Sequence, residues 1–175
     1  GMNITRRRIV TGSLAAMPLA LLGRHAFAQS AGGLKISHQF PGGTIDEGDF
    51  RDRLCRKFAQ EVEKRTGGKL KFAIYPGSSL MKVNAQFSAL RKGALDMTLL
   101  PLPYAGSEVP ELNIALMPGL VTSYEQGLRW KNAEVGKALS QLLAEKGVMI
   151  VTWVWQAGGA ASRTTPVINP EDTKG

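Results

Sequence analysis

The stretch that decides the fold is residues 34–75, LKISHQFPGGTIDEGDFRDRLCRKFAQEVEKRTGGKLKFAIY. Its first seven residues have the apolar alternation of a strand. Apolar residues then recur at every fourth position, as along one stripe of an amphipathic helix: Phe50, Leu54, Phe58 and Val62. A pair of glycines can cap this helix, and LKFAIY reads as a second strand that a Pro-Gly pair ends. The stretch therefore predicts a strand, a helix and a second strand.

The same alternation continues towards the C-terminus. A second helix is marked by Val83, Phe87 and Leu90 and closed by Gly93, and DMTLLP, residues 96–101, predicts a third strand. Two further helices are predicted at 124–130 and 135–146, and the apolar run VMIVTWVW, residues 148–155, is typical of a strand covered on both faces. This order predicts an α/β fold with a mostly parallel sheet flanked by helices.

A ligand site is expected where the strands end, because parallel α/β sheets bind ligands outside their carboxyl ends. The segments that follow the predicted strands contain His38 and Gln39, residues 75–78, residues 101–104 and residues 155–159. Trp153 and Trp155 stand two apart and so share one face of the predicted strand. Core packing is favoured for Trp153, whereas core and pocket stay open for Trp155 and Tyr104.

Catalytic signatures are missing from the sequence. His38 is the one histidine after residue 28, no G-x-S-x-G elbow surrounds the serines, and no Walker loop or G-x-G-x-x-G follows a strand. Cys55 stands alone, without a second Cys or a His at metal-ligand spacing, so it is expected to be a small buried hydrophobe in a helix. We therefore expect no catalytic residue, no metal site and no cofactor.

The N-terminus reads as an export signal. Three arginines precede an apolar run, and Ala26, Phe27 and Ala28 form an A-x-A cleavage motif before Gln29. The arginine cluster approximates the twin-arginine pattern. A permanent membrane anchor is the weaker alternative, because the run is shorter than the roughly 20 residues that a spanning helix needs. Residues 1–28 are thus predicted to be a cleaved signal peptide, and the mature protein to be periplasmic.

Charge gives little support for nucleic-acid binding. The chain has 22 basic and 14 acidic residues, net +8, and loss of the four arginines in residues 1–28 leaves 18 basic residues and a net charge of +4. This mild excess is spread along the chain and is not interleaved with aromatic residues. The composition, 43% hydrophobic and 21% charged, is that of an ordinary globular protein.

Several motifs in this order resemble one known family. LKISHQFP, FAQEVEKRTGGKLKFAIYPGSSL, LRKGALDMTLLP, EVGKALSQLLAEKGVMIVTWVW and PVINPEDTKG are similar to the substrate-binding proteins of tripartite ATP-independent periplasmic (TRAP) transporters, the DctP-like family. The resemblance implies a periplasmic-binding-protein-like fold of two α/β lobes around a cleft. Residues 29–157 are then expected to be the first lobe and residues 158–175 a crossover segment. VINPEDTKG starts like a helix, and the second lobe is expected to be largely missing from this chain.

The resemblance also carries pocket positions over to this sequence. They fall on Gln39 after the first strand, near Lys82 after the second, on Pro101 with Tyr104 nearby after the third, and on Trp155 and Gln156 after the fourth. The first of the family's two carboxylate-binding arginines falls on Gly159, and the second would lie beyond residue 175. Arg163 is a hypothetical substitute for the first. The expected substrate-binding residues are therefore His38, Gln39, Lys82, Pro101, Tyr104, Trp155, Gln156, Gly159 and Arg163.

The function that the resemblance implies is capture of an organic acid and its delivery to TRAP membrane permease subunits, without catalysis. The loss of the expected arginine pair makes an aromatic or larger acid conceivable beside a small dicarboxylate. Two alternatives stay open. One is an exported α/β enzyme whose catalytic residues are not visible here. The other is a lobe that is inert or associates with itself through an uncovered apolar surface.

Overall fold

The computed structural model describes residues 33–159 and 161–174. The signal predicted for residues 1–28 lies outside them. The strands and α-helices, in chain order, are β1 Leu34–His38, α1 Phe50–Arg65, β2 Phe72–Tyr75, α2 Gln86–Arg91, β3 Met97–Leu99, α3 Tyr124–Arg129 and α4 Glu134–Glu145. Shorter 3₁₀ segments are Val83–Ala85, Leu102–Ala105, Pro110–Leu116, Trp130–Asn132 and Pro170–Thr173. The two predicted crossover units are thus confirmed.

The three strands form one parallel sheet in the order β2-β1-β3. Leu34 pairs with Phe72 at one edge of β1, and Ile36 pairs with Met97 at the other. The connection from β1 to β2 and that from β2 to β3 run in opposite directions across the sheet. With right-handed crossovers, α1 and α2 therefore lie on opposite faces, and all three carboxyl ends meet at one edge.

Helix α1 begins and ends as its sequence predicts, but only the second half of the predicted stripe is covered, where Phe58 and Val62 are half-buried and Phe58 packs on Phe72 of β2. Asp49 caps its N-terminus by accepting a hydrogen bond from the Arg51 backbone N–H. Phe50 and Leu54, which belong to the predicted apolar stripe, are 46% and 38% exposed. The buried positions are Asp52 and Cys55, three apart. The stripe is displaced because a buried polar network, described below, holds Asp52 against the sheet.

A second cluster of buried residues lies around the later helices. Trp130, Leu139 and Leu143 pack with Phe87 and Leu112, and α4 presents its apolar face to them. Burial of each large aliphatic side chain stabilises the fold by about 1.5–3 kcal/mol. This cluster fixes the chain that leads to Trp155.

The predicted fourth strand is wrong. Residues 148–155 form no strand and have no ladder partner among the described residues, and a strand needs such a partner for its backbone groups. Nor is the segment covered on both faces. Val148 is buried, and Ile150, Trp153 and Trp155 pack on the second cluster, but Met149 and Val151 are 78% and 54% exposed. The apolar run therefore packs with one face only.

The C-terminal helix start is present as a single 3₁₀ turn, Pro170–Thr173. Its start is held by Asp172, whose Oδ2 accepts hydrogen bonds from the backbone N–H groups of Ile168 and Asn169 at 2.9 and 2.8 Å. Across the described ranges, 33–159 and 161–174, no helix has the length and apolarity to cross a bilayer.

Candidate functional site

The loop after β2 is attached to the segment after β1. The backbone N–H of Gly77 donates to the Phe40 carbonyl at 2.8 Å, and that of Ser78 donates to the His38 carbonyl at 2.9 Å. The Ser79 N–H closes a tight turn by donating to the Pro76 carbonyl at 3.0 Å. The carboxyl ends of β1 and β2 are therefore one connected surface, where the sequence placed the site.

Ser78 is strained at the centre of that turn. Gly77 and Ser78 have φ angles of 61° and 57°, and both central residues of such a turn require positive φ. Glycine adopts this conformation freely, whereas a serine pays about 1 kcal/mol for it. Ser78 is the one non-glycine residue with positive φ in the ranges that the structure describes. Strain of this kind concentrates at binding sites.

A buried polar network lies beneath the same edge. His38 and Asp52 have fully buried side chains, and His38 Nε2 lies 2.9 Å from Asp52 Oδ1. Asp52 Oδ2 accepts hydrogen bonds from Arg56 Nε at 2.7 Å and from the Gly43 N–H at 2.9 Å. Burial alone would raise the pKa of Asp52, but these hydrogen bonds outweigh it and lower that pKa below its usual range.

The geometry defines the tautomer of His38. The Phe40 backbone N–H donates to His38 Nδ1 at 3.2 Å, so Nδ1 carries no proton and the proton lies on Nε2, which donates to Asp52. Both ring nitrogens are thus occupied within the protein. The imidazole holds the backbone of Phe40 while Asp52 holds that of Gly43, and no ring nitrogen is left for a ligand or for proton transfer.

Two predicted site residues, Gln39 and Gln156, present amide groups. Gln39 follows β1 directly, and its Oε1 is buried without a partner among the described residues. Gln156 is exposed and accepts a hydrogen bond from Arg51 Nη1 at 2.8 Å. Arg51 also lies over the Phe40 ring, with 3.8 Å between Cζ and the ring centroid. Gln156 is thereby joined to the segment after β1.

Trp155 belongs to an aromatic cluster. Its ring stacks on Trp153, with centroids 6.2 Å apart and planes 15° apart, and meets Trp130 edge-on at 5.4 Å. The two tryptophans share one side of the chain, as predicted, although no strand holds them. Trp155 is half-buried, and its Nε1 has no partner among the described residues. Its ring packs on the core and its polar atom is unsatisfied.

The remaining predicted residues have few internal contacts. Lys82 is exposed just before a 3₁₀ turn, and Pro101 precedes the 3₁₀ segment that contains Tyr104, which is 43% exposed. Gly159 and Arg163 are exposed, and Arg163 forms no ion pair within the described part of the chain. The structure therefore joins Gln156 through Arg51 to Phe40, the residue after Gln39, and it leaves Lys82 and Arg163 outside this contact network.

Arg51, Asp52 and Arg56 were missed by sequence reasoning. One signal was available, because Asp52 and Cys55 stand three apart and so lie on the same face of α1. A carboxylate on a helix face that also carries a buried residue indicates a buried partner. Nothing local signals the contact of Arg51 with Gln156, since 105 residues separate them.

A cavity of about 520 Å³ lies elsewhere, between α4 and the 3₁₀ segment Pro110–Leu116. Its lining is mostly apolar and includes Ile114, Met117 and Leu139, and no residue of the predicted site contributes to it.

The parallel sheet, whose carboxyl ends meet at one edge beside polar side chains, has the arrangement of an α/β ligand-binding lobe. Comparison with known sequences gives the particular family. The chain belongs to the bacterial extracellular solute-binding protein family 7, DctP, whose sequence model matches residues 46–175. The resemblance noted from the sequence motifs is confirmed.

Individual relatives agree with this assignment. A solute-binding protein of Albidiferax ferrireducens is 67% identical over 166 residues, which is 94% of this chain and 48% of that protein. The crystal structure of a TRAP periplasmic solute binding protein from Rhodoferax ferrireducens with bound malonate is 70% identical, with a TM-score of 0.79 over 81% of this chain and 45% of that one.

A more distant TRAP periplasmic solute binding protein, from Ralstonia eutropha with bound (S)-2-acetolactate, is 28% identical. Its TM-score is 0.57 over 66% of this chain and 36% of that one. The chain thus spans less than half the length of each of these three relatives.

Proposed function

We propose that this chain provides one lobe of an extracytoplasmic solute-binding protein that captures a small organic acid and delivers it to TRAP permease subunits. One observation carries the proposal: the 70% identical relative of the same fold holds malonate. The cleft would lie at the carboxyl edge of the sheet, and a second α/β lobe would close over it by hinge motion. Residues 29–157 would be the first lobe and residues 158–175 the crossover segment.

The site chemistry supports a ligand rich in oxygen acceptors. Gln39 is an amide directly after β1, Gln156 is an exposed amide that Arg51 joins to the same segment, and Tyr104 and Lys82 offer exposed hydroxyl and ammonium groups. Arg51 is no free cation, because its guanidinium already binds the Asp49 carboxylate. A carboxylate ligand would therefore need another positive charge, and Arg163, exposed and without an ion pair in the described ranges, could supply it.

Isothermal titration with malonate tests the function, and the Arg163→Ala variant tests whether Arg163 supplies the positive charge that binds the carboxylate. We expect saturable binding by the natural protein and a loss of about tenfold or more in affinity for Arg163→Ala, as for a charge-assisted hydrogen bond. Arg65→Ala is the matched control, since Arg65 is exposed and pairs with Glu61 on the far part of α1. Unchanged malonate affinity in Arg163→Ala would remove Arg163 from the site.

We further propose that the protein is not an enzyme. The buried His38–Asp52 pair has the arrangement of a base with its orienting carboxylate, but Nδ1 is occupied by the Phe40 N–H and the ring is inaccessible. Each acid that binds would be followed by NMR in the presence of the protein. Recovery of the acid unchanged after long incubation is expected, and conversion would favour the enzymatic alternative.

Export to the periplasm completes the proposal. Residues 1–28 would direct the protein through the twin-arginine route and be cleaved before Gln29. N-terminal sequencing of the protein from a periplasmic fraction should begin at Gln29. Replacement of Arg6 and Arg7 by lysine should retain the precursor in the cytoplasm, and unchanged export of that variant would exclude the twin-arginine route.

A further inference from the structure

Arg51 is held by two groups on its own side of the lobe, the Asp49 carboxylate and the Phe40 ring, and reaches Gln156 with its remaining nitrogen. Its Nε and Nη2 donate to the two carboxylate oxygens of Asp49 at 2.9 and 2.7 Å. The guanidinium lies over the Phe40 ring at 3.8 Å. Nη1 then donates to Gln156 Oε1 at 2.8 Å. Three of the five N–H donors of the guanidinium and one face of its plane are therefore occupied by groups of this chain.

The Arg51–Asp49 pair is a permanent one. The hydrogen bond from Arg51 is the main cause that lowers the pKa of Asp49 to about 2, and the same contact raises the pKa of Arg51. The pair keeps its charges at every physiological pH, and its two parallel hydrogen bonds fix the plane of the fork. The position of Nη1 is therefore determined by α1 and its cap.

This contact dictates which way the Gln156 amide faces. An arginine only donates, so the atom of Gln156 that faces Nη1 must be the oxygen. The Nε2 group then faces away from Arg51 with two N–H donors, and no described residue accepts from it. The exposed amide of Gln156 thus presents two donors in an orientation that the contact with Arg51 fixes before a ligand binds.

We propose that Arg51 is a positioning residue that orients Gln156 so that its Nε2 donates to an oxygen of the bound ligand. The inference rests on the proposed function and deepens it. A site built this way accepts a carboxylate or ketone oxygen at this point and disfavours a group that can only donate, because two donors would face each other. Malonamate replaces one carboxylate of malonate, which only accepts, by an amide that has one acceptor oxygen and two donors, so malonate should bind more tightly and Arg51 should contribute to that difference.

The first test is NMR of the Gln156 side-chain amide in the full chain, assigned by its disappearance in Gln156→Met. In the natural chain the amide should be rigid on the ps–ns timescale, with a positive heteronuclear NOE. Arg51→Met keeps the length of the side chain but removes every donor, and it should make the amide mobile. Arg65→Met, on the same helix, should change nothing. An amide equally mobile in the natural chain and in Arg51→Met would overturn the inference.

The second test measures affinity for malonate and malonamate by calorimetry. Arg51→Met should weaken malonate about tenfold and reduce the preference over malonamate, whereas Arg65→Met should alter neither. Gln156→Met leaves α1 intact and should reduce the preference by the same factor as Arg51→Met, so it decides the matter if Arg51→Met fails to fold. A preference in Gln156→Met equal to that of the natural protein would overturn the inference.

The two proposals fail in different ways. A natural protein that binds none of malonate, succinate and larger carboxylates would contradict the proposed function and the ligand-binding part of this inference, whatever the NMR shows. Binding of malonate with an unchanged Gln156 amide in Arg51→Met would contradict the positioning role alone.

Discussion

The indole of Trp155 lies directly against Gly127 of α3. A Cβ atom on Gly127 would stand 2.8 Å from Trp155 Cγ and 2.9 Å from Cδ2, closer than side-chain carbons approach in proteins. Trp155 in turn contacts Trp130 and Trp153. The missing side chain at Gly127 is therefore what allows residues 148–155 to pack on the second cluster without a strand partner.

Gly127→Ala should displace Trp155. Alanine favours a helix over glycine by about 1 kcal/mol, but overpacking costs about 1–3 kcal/mol, so we expect net destabilisation. Chemical unfolding followed by tryptophan fluorescence would measure both the loss and the altered environment of Trp155. Gly158→Ala is the control, because a Cβ there meets open space. Equal stability and emission in the two variants would contradict the packing described.

Removal of the Asp52 carboxylate should strongly destabilise the fold. Asp52→Ala leaves the His38 and Gly43 donors without an acceptor and Arg56 without its partner, at a cost of about 3 kcal/mol. Asp52→Asn should not rescue it fully, because both oxygens of Asp52 act as acceptors and an amide provides one. Urea unfolding measures the loss.

The control for Asp52 is Glu61→Ala on the same helix. Its partner Arg65 is 80% exposed and the contact is 3.4 Å long, so the variant should change the free energy of unfolding by less than about 0.5 kcal/mol. Comparable losses in the two variants would mean that burial of the network contributes nothing.

Stability should fall on the acid side. The pKa of Asp49 is about 2 in the folded chain, below its ordinary 3.8, and that of Asp52 is also lowered. A carboxylate whose pKa is lowered by folding stabilises the fold fully above its unfolded pKa. That stabilisation is lost as pH falls through its folded pKa. The free energy of unfolding should therefore decline between about pH 4 and pH 2. Asp49→Asn should flatten part of that decline, and an unchanged profile would contradict the Arg51 pairing.

Cys55 should be unreactive in the native state. Burial raises the pKa of its thiol to about 11, and the thiolate is the reactive form. A disulfide reagent at pH 8 should label it only after unfolding in guanidinium chloride. A Ser107→Cys variant, exposed in the structure, gives the rate expected of an accessible thiol. Rapid native labelling of Cys55 would show that α1 opens readily.

Local sequence patterns predicted most of the fold. The period of four from Phe50 and the glycine at position 93 located α1 and α2 well, because helix ends are governed by nearby residues. Residues 148–155 were predicted wrongly as a strand. An apolar run indicates burial, but it does not indicate whether a neighbouring strand is present to pair with it.

The candidate site was less accessible to sequence reasoning. Gln39 and Gln156 were expected from the family resemblance, and they stay predictions as ligand contacts. The contact that holds Gln156 was not foreseen, because Arg51 meets Gln156 across 105 residues, and neither was the network beneath the site, because Asp52 is a charge on a buried helix face. Long-range polar contacts leave no periodic trace in a single sequence.

Native mass spectrometry tests the central claim most directly. The protein would be recovered from the periplasm of its host and then equilibrated with malonate, succinate and larger carboxylates. We predict that one small organic acid stays bound per protein, either carried over from the cell or taken up from the panel, and that it is released unchanged on denaturation. A folded protein that retains none of these acids, or that releases a converted product, would contradict the proposed function, capture of a carboxylate without catalysis.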